Sequence, residues 1–186
     1  ASKLHYNPVR QYNASKPYKY HIDFFVLVNA LSGMNFIYHL DVYQGKNATN
    51  TFIVAETHNL LTTQKAVVNA NVLSGIANEP NGMGEIYMDN WYSAPTLFVL
   101  LQEKYSILAC GTVRSNQTGW NSQILNLPKT SQRGTSLVKF DPVNKVLFGQ
   151  WNDNKVVLFI STLGVFGMST VQQREQIRLT FRYWKH

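Results

Sequence analysis

Asp89 stands in the stretch IYMDNWYSAP, residues 86–95, where an apolar run ends in Asp-Asn, two aromatics follow, and Ser-Ala-Pro opens what reads as a helix. A carboxylate at the carboxyl end of a buried strand is where α/β sheets place their ligand sites. Two-metal phosphoryl-transfer chemistry needs about three such carboxylates on neighbouring elements, around ions about 4 Å apart. An Asp here also has an ordinary structural use, shaping the turn or capping the helix that follows. The residues alone leave both readings open. Asp23, inside a predicted strand, reads as a surface position or as half of an ion pair, and Asp41 lies near the end of the next strand. Neither sits in a motif. Trp91 and Tyr92 can stack on bases or pack the strand–helix junction.

Cationic groups supply the other half of the chemistry. GTVRSN, residues 111–116, ends a strand with Arg114 at its rim, where a guanidinium fork can hold a phosphate or pair with a nearby carboxylate. Lys3, Arg10, Lys16 and Lys19 alternate with Tyr6, Tyr12, Tyr18 and Tyr20, a pattern that fits an arm on a nucleic-acid backbone or a solvated basic edge. The formal net charge is +7, from 17 Lys and Arg against 10 Asp and Glu, which favours polyanionic partners without naming one.

Other chemistries find little support. One cysteine, Cys110, excludes a disulfide within the chain and a cysteine-based zinc site. In the apolar run SILACGTVR it reads as a small core residue. His21, His39 and His58 share no ligand spacing, and there is no His-Glu-x-x-His, Gly-x-Ser-x-Gly, Walker loop or Gly-x-Gly-x-x-Gly. No apolar stretch approaches a membrane span. The polar, basic start ASKLHYNPVRQY carries no signal peptide and no Met, and reads as the start of a fragment. Asn13, Asn47 and Asn116 each open an Asn-x-Ser/Thr triplet, and these read as chance matches.

The elements that must position these residues follow from periodicity. A chain of 186 residues, 45% hydrophobic and 13% aromatic, is globular, with enough length for one core and a subdomain. Residues 1–18 read as an irregular or extended lead. YKYHIDFFVLVNA (18–30) is apolar on both sides near its end, as a central buried strand is. LSG (31–33) turns the chain into the alternating strand 34–45, with Phe36, Tyr38, Leu40 and Val42 on one side, closed by Gly45 and KNATN. Ala66, Val67, Ala70, Leu73 and Ala77 recur at helical spacing, with Thr62 or Thr63 as cap and NEPNG (78–82) as stop. EIYM is a strand, APTLFVLLQEKY (94–105) a helix with Pro95 in its first turn, and SILACGTVR (106–114) a buried strand. This order is a mixed α/β layer. After a loop, TSLVKF, KVLFGQW and KVVLFIST alternate with the turn signals DPVN and NDN, an antiparallel meander. In the tail VQQREQIRLTFRYWKH, Ile177, Leu179, Phe181 and Tyr183 alternate as in a strand, while the Gln and Arg content suits a helix. Both readings stand.

Three of these stretches, in this order, resemble one family. SKPYKYHIDFFVLVNALSGMNFIYHLDVYQGK is similar to the lysine-proline-initiated hairpin of piggyBac-type transposases and of the domesticated proteins derived from them. IYMDNWYSAPTLFVLLQEKYSILACGTVRSN resembles their Asp-Asn-aromatic signature, helix and Gly-Thr-Val-Arg strand. RGTSLVKFDPVNKVLFGQWNDNKVVLFIST resembles their β-rich insertion. The resemblance runs from about residue 8 to 162. It implies an α/β fold, a partial RNase H-like mixed sheet with flanking helices plus a small antiparallel β insertion. The divisions are a core over 1–114, the insertion over 115–162 and a divergent basic tail over 163–186, which does not resemble the family.

Members of that family cut and join DNA with an Asp triad that holds divalent ions, usually Mg²⁺. Asp89 matches the second Asp, which makes it the catalytic and metal-ligand candidate. Arg114, Lys16 and Lys19 are the nucleic-acid-binding candidates. The family's first Asp precedes the Lys-Pro hairpin, where this chain has no acid before Asp23. The third lies in a Gly-Gly-Val-Asp motif, whereas the last acid here is Glu175, in no such motif, and the Cys-rich zinc module is absent. The resemblance therefore implies a truncated or degenerate transposase-derived protein, inactive alone because one ligand cannot position two metals. Without the first strand, its hairpin presents an apolar edge, an aggregation hazard. DNA is the implied partner, with a homodimer or an intact transposase as a protein partner, no membrane, and the nucleus as location. The alternatives are a non-catalytic DNA- or protein-binding module and an unstable relic without function.

Overall fold

The structure is a computed structural model that describes residues 7, 9–29, 36–45, 60–76, 84–117, 119, 127–128 and 130–163. The turn at 31–33, the stretch 46–50, the stop at 78–82, Lys3, Tyr6, His58 and the tail from 164 lie outside the described residues. The described residues fall into two compact units. One holds those up to Gly84 together with Glu103–Ile107, and the other those of Glu85–Gln102 and from Leu108 onward.

The first unit opens on a short hairpin, whose first strand lies in the lead read as irregular or extended and whose second lies at the start of the predicted strand 18–30. Strands β1 (Gln11–Tyr12) and β2 (Tyr20–His21) pair antiparallel, with Gln11 opposite His21 and Tyr12 opposite Tyr20. Two-residue strands are too short for an alternation to show in sequence. The next hairpin joins β3 (Phe24–Asn29) and β4 (Phe36–Val42) in register from Phe24↔Val42 to Asn29↔Phe36. The register slips between Leu27 and Val28, so that Tyr38 faces no partner residue, as at a β-bulge. Phe25 is buried, and helix α1 (Thr62–Leu73) packs against both strands.

Two expectations are corrected here. Residues 18–30 are not one central strand. Among the described residues β3 has β4 as its one partner, and Phe24, Val26 and Leu40 are exposed. An apolar strand specifies what it would bury, not which strand arrives to bury it. The start of α1 is not capped by Thr62 or Thr63, which lie inside the first turn. The N-cap is Leu61, whose side chain cannot accept a hydrogen bond. Gln64 compensates: its Oε1 accepts the Leu61 N–H at 3.1 Å. Along α1, Ala66, Val67 and Ala70 are buried as their spacing predicts, whereas Leu73 is exposed. Asn71 is buried in its place, and its Nδ2 donates to the Val67 carbonyl at 2.8 Å.

The second unit is built on a five-stranded sheet. Its order is β5 (Gly84–Met88), β6 (Ile107–Thr112), β9 (Val156–Ser161), β8 (Val146–Asn152) and β7 (Ser136–Asp141). The β7–β8, β8–β9 and β6–β9 pairs are antiparallel, while β5 adjoins β6 through the crossover helix α2 (Pro95–Tyr105), making the sheet mixed. Leu97, Phe98 and Leu101 of α2 are completely buried, as are Ala109 and Ile160 in the sheet. Helix α2 ends with Lys104 in its last turn, which complements the helix dipole, and Ser106 follows in the left-handed region at φ 53°.

The meander is hydrogen-bonded directly to the α/β layer. Cys110, Gly111 and Thr112 lie opposite Ser161, Ile160 and Phe159. Beyond that ladder, the Thr162 N–H donates to the Ala109 carbonyl and Thr162 Oγ1 accepts the Ala109 N–H, both at 2.8 Å. At the β8–β9 pair, Phe159 lays its ring over Gly149, and a Cβ there would run into the ring. The DPVN turn signal has a physical basis. Asp141 Oδ1 accepts the Val143 N–H at 3.0 Å and the Asn144 N–H at 3.4 Å, and Oδ2 accepts Asn144 Nδ2 at 2.6 Å.

Two predictions follow from this packing. Gly149→Ala displaces Phe159 and lowers stability by about 1–3 kcal/mol, read as a lower urea midpoint at unchanged m. The Asn144 side chain, and then the Val143 and Asn144 N–H groups, hold the Asp141 carboxyl below its ordinary value. A depressed folded pKa gives stability that is complete above the unfolded pKa, about 3.9, and is lost as pH falls through the folded value. Asp141→Asn is therefore expected to lose less stability than wild type on acidification, checked by urea melts from neutral pH downward.

Candidate functional site

The second unit brings two of the sequence candidates to one end of its sheet. Strand β5 stops at Met88 and Asp89 leaves it, exposed. Asp89 Oδ1 accepts the Trp91 N–H at 2.8 Å, the Asx-turn use of an aspartate. Its carbonyl accepts the Ser93 N–H at 3.1 Å, the Ser93 hydroxyl at 2.8 Å and the Tyr92 N–H at 3.2 Å. Ser93 is buried, so this knot anchors the turn that delivers the chain to Pro95 and α2. Trp91 and Tyr92 are half-buried, with ring centroids 5.3 Å apart.

Arg114 reaches the same place from the neighbouring strand. Val113 continues the β6–β9 ladder by donating its N–H to the Leu158 carbonyl at 2.9 Å, and Arg114 follows, exposed. Its Nε donates to Asn90 Oδ1 at 3.0 Å, so Asn90, one residue beyond Asp89, fixes the guanidinium. The terminal nitrogens make no hydrogen bond with a described residue and can present a fork to a phosphate. Asn90 is the residue that sequence reasoning passed over. Its signal was its place in Asp-Asn, directly after the strand. Gly111 makes this approach feasible, since a Cβ there would collide with the Met88 carbonyl and Ser93 Oγ.

Lys16 and Lys19 belong to the first unit. Lys16 Nζ lies 3.4 Å from Asp23 Oδ1 and 3.2 Å from His21 Nε2, and His21 Nε2 is 3.4 Å from Asp23 Oδ2. Asp23 is thus the half of an ion pair that the sequence allowed, and part of the Lys16 charge is already matched. Lys19 is exposed and makes no ion pair among the described residues.

Two other reactive groups, Cys110 and Tyr87, are shifted by their surroundings. Burial pushes the Cys110 thiol above its ordinary value, partly opposed by a hydrogen bond with Ser161, so the nucleophilic thiolate is disfavoured. Tyr87, hydrogen-bonded to Glu85 at 3.2 Å, is also raised, by burial first and the Glu85 charge second. Among the described residues no three His, Cys, Asp or Glu side chains gather as metal ligands. Asp89 contributes one carboxylate, with Oδ1 already engaged, and the described residues do not by themselves supply a divalent-ion site.

The sequence model of the Transposase IS4 family matches residues 5–181. The chain belongs to this piggyBac-type transposase family. The match extends past the last of the three motifs and into the basic tail, which corrects the expectation that the tail does not resemble the family. The solved structure of a piggyBac transposase in a synaptic complex with hairpin DNA is similar to 83% of this chain, at 24% identity and a TM-score of 0.62. That likeness shows the fold. The chain spans 30% of that transposase's length. No curated protein matches the chain.

The turn geometry gives one expected outcome. Asp89→Asn keeps an oxygen for the Trp91 N–H and changes stability by less than about 0.5 kcal/mol, whereas Asp89→Ala removes it and costs about 1 kcal/mol. Urea melts of the two variants check this.

Proposed function

We propose that this transposase-family chain is a DNA-binding protein that does not cleave DNA unaided. The observation that carries the reading is the Asp89–Asn90–Arg114 arrangement. It keeps a guanidinium ready for phosphate at the sheet end but offers a single carboxylate. Lys19 adds a second cationic contact, and Lys16 a weaker one because Asp23 shares its charge. The DNA in the complex of the similar piggyBac transposase supports DNA as the partner. In this reading Asp89 holds the position of a family metal ligand, and Mg²⁺ chemistry there requires carboxylates beyond the described residues. The nucleus is where such a protein meets its DNA.

A second reading is association with another transposase-type chain. The exposed Phe24, Val26 and Leu40 of the β3–β4 hairpin favour it. Sedimentation of the purified chain tests it: a single monomeric species across concentrations would rule out self-association.

The DNA reading predicts affinity for duplex DNA that falls steeply with salt and is unchanged in Asp89→Ala. Arg114→Ala should weaken binding and reduce the slope of log K against log salt by about 0.9 for one lost phosphate contact. Mg²⁺ should produce no strand cleavage. Mg²⁺-dependent nicking that disappears in Asp89→Ala would refute the proposal.

A further inference from the structure

The β1–β2 hairpin displays far more aromatic surface than two two-residue strands can use. Tyr12 is 60% exposed, Tyr18 84% and Tyr20 49%. Tyr12 and Tyr20, directly opposite in register, have ring centroids 5.1 Å apart at 55°. The Arg10 guanidinium lies 4.4 Å from the Tyr20 ring centroid. Arg10, Tyr20 and Tyr12 thus brace one another and keep the Tyr12 ring accessible on a supported base.

The connecting turn is equally well defined. The Asn13 N–H donates to the Lys19 carbonyl at 2.8 Å, the Lys16 N–H to the Asn13 carbonyl at 3.3 Å, and the Ser15 N–H to Asn13 Oδ1 at 3.0 Å. This local frame carries Lys16, Tyr18 and Lys19, all exposed. The acid beside it, Asp23, is already taken up by Lys16 and His21. The surface therefore combines accessible rings with cations that no carboxylate among the described residues fully neutralises.

This combination selects among forms of DNA. A duplex offers phosphates and groove edges, but its base faces are stacked and closed to a tyrosine ring. Unpaired nucleotides offer both a phosphate chain and free base faces, and aromatic rings interleaved with cations match that pairing. We infer that the β1–β2 hairpin binds unpaired nucleotides, with Tyr18 and Tyr12 stacking on bases and Lys19 on the phosphate chain. The inference rests on the DNA-binding reading above and adds to the duplex contacts a site for single-stranded or locally opened DNA.

Fluorescence anisotropy of the full chain, with a labelled oligothymidylate and a blunt duplex of equal length, tests it. Tyr18→Ala should weaken oligothymidylate binding about 10-fold or more, leave the salt slope intact and barely alter duplex binding. Tyr18→Trp should bind at least as well as wild type. Lys19→Ala should weaken binding and lower the single-strand salt slope by about 0.7. Salt-sensitive binding to both probes that is indifferent to Tyr18→Ala and Tyr12→Ala would overturn the stacking role and leave the DNA reading standing. Absence of salt-sensitive binding to either probe would remove the DNA reading, and this inference with it.

Discussion

Strand β6 has a neighbour on each side, so it must fit both. On one side lies β5, and on the other β9, which ties in the meander. At Gly111 the strand passes so close to the Met88 carbonyl and Ser93 Oγ that no side chain fits. Ser93 is also the residue that fastens the Asp89 carbonyl. One backbone approach therefore sets both the spacing of the central strands and the turn that carries the candidate carboxylate.

Chemistry at the sheet end inherits this geometry. Asp89 and Arg114 are 25 positions apart by their numbering, yet adjacent strands deliver them to one rim, with Asn90 as the bridge. A guanidinium held by a neutral amide keeps its full charge for an anionic ligand, which a carboxylate partner would have offset. Asp89, whose Oδ1 is already bonded to a backbone N–H, is a good turn-former, and among the described residues no three potential ligand side chains gather into an ion cage. In the proposed DNA-binding reading these residues hold a phosphate chain rather than activate a metal-bound nucleophile.

Much of this was legible in the sequence. The strands from Phe24 onward and both helices announce themselves by period, and the DPVN turn by an Asp whose carboxylate is bonded within it. Asp89 and Arg114 were legible as candidates because each ends an apolar run. What stayed hidden were pairings between distant segments. The Arg114–Asn90 bond joins residues from two strand ends, and the order β5-β6-β9 places a late strand beside an early one. Periodicity within a segment carries no record of its neighbours. The α1 cap was misread because Gln64, not a hydroxyl, serves the Leu61 N–H. The β1–β2 hairpin escaped because its strands are shorter than one alternation.

The thermal melt of the purified chain, followed by circular dichroism with and without Mg²⁺, tests the central claim most directly. A ligand that binds the folded chain raises its midpoint by mass action. If these residues form a DNA-binding surface without a metal site of their own, the midpoint is the same in both conditions. A Mg²⁺-dependent rise that vanishes in Asp89→Asn would show that Asp89 already belongs to a working ion site, and would contradict the account.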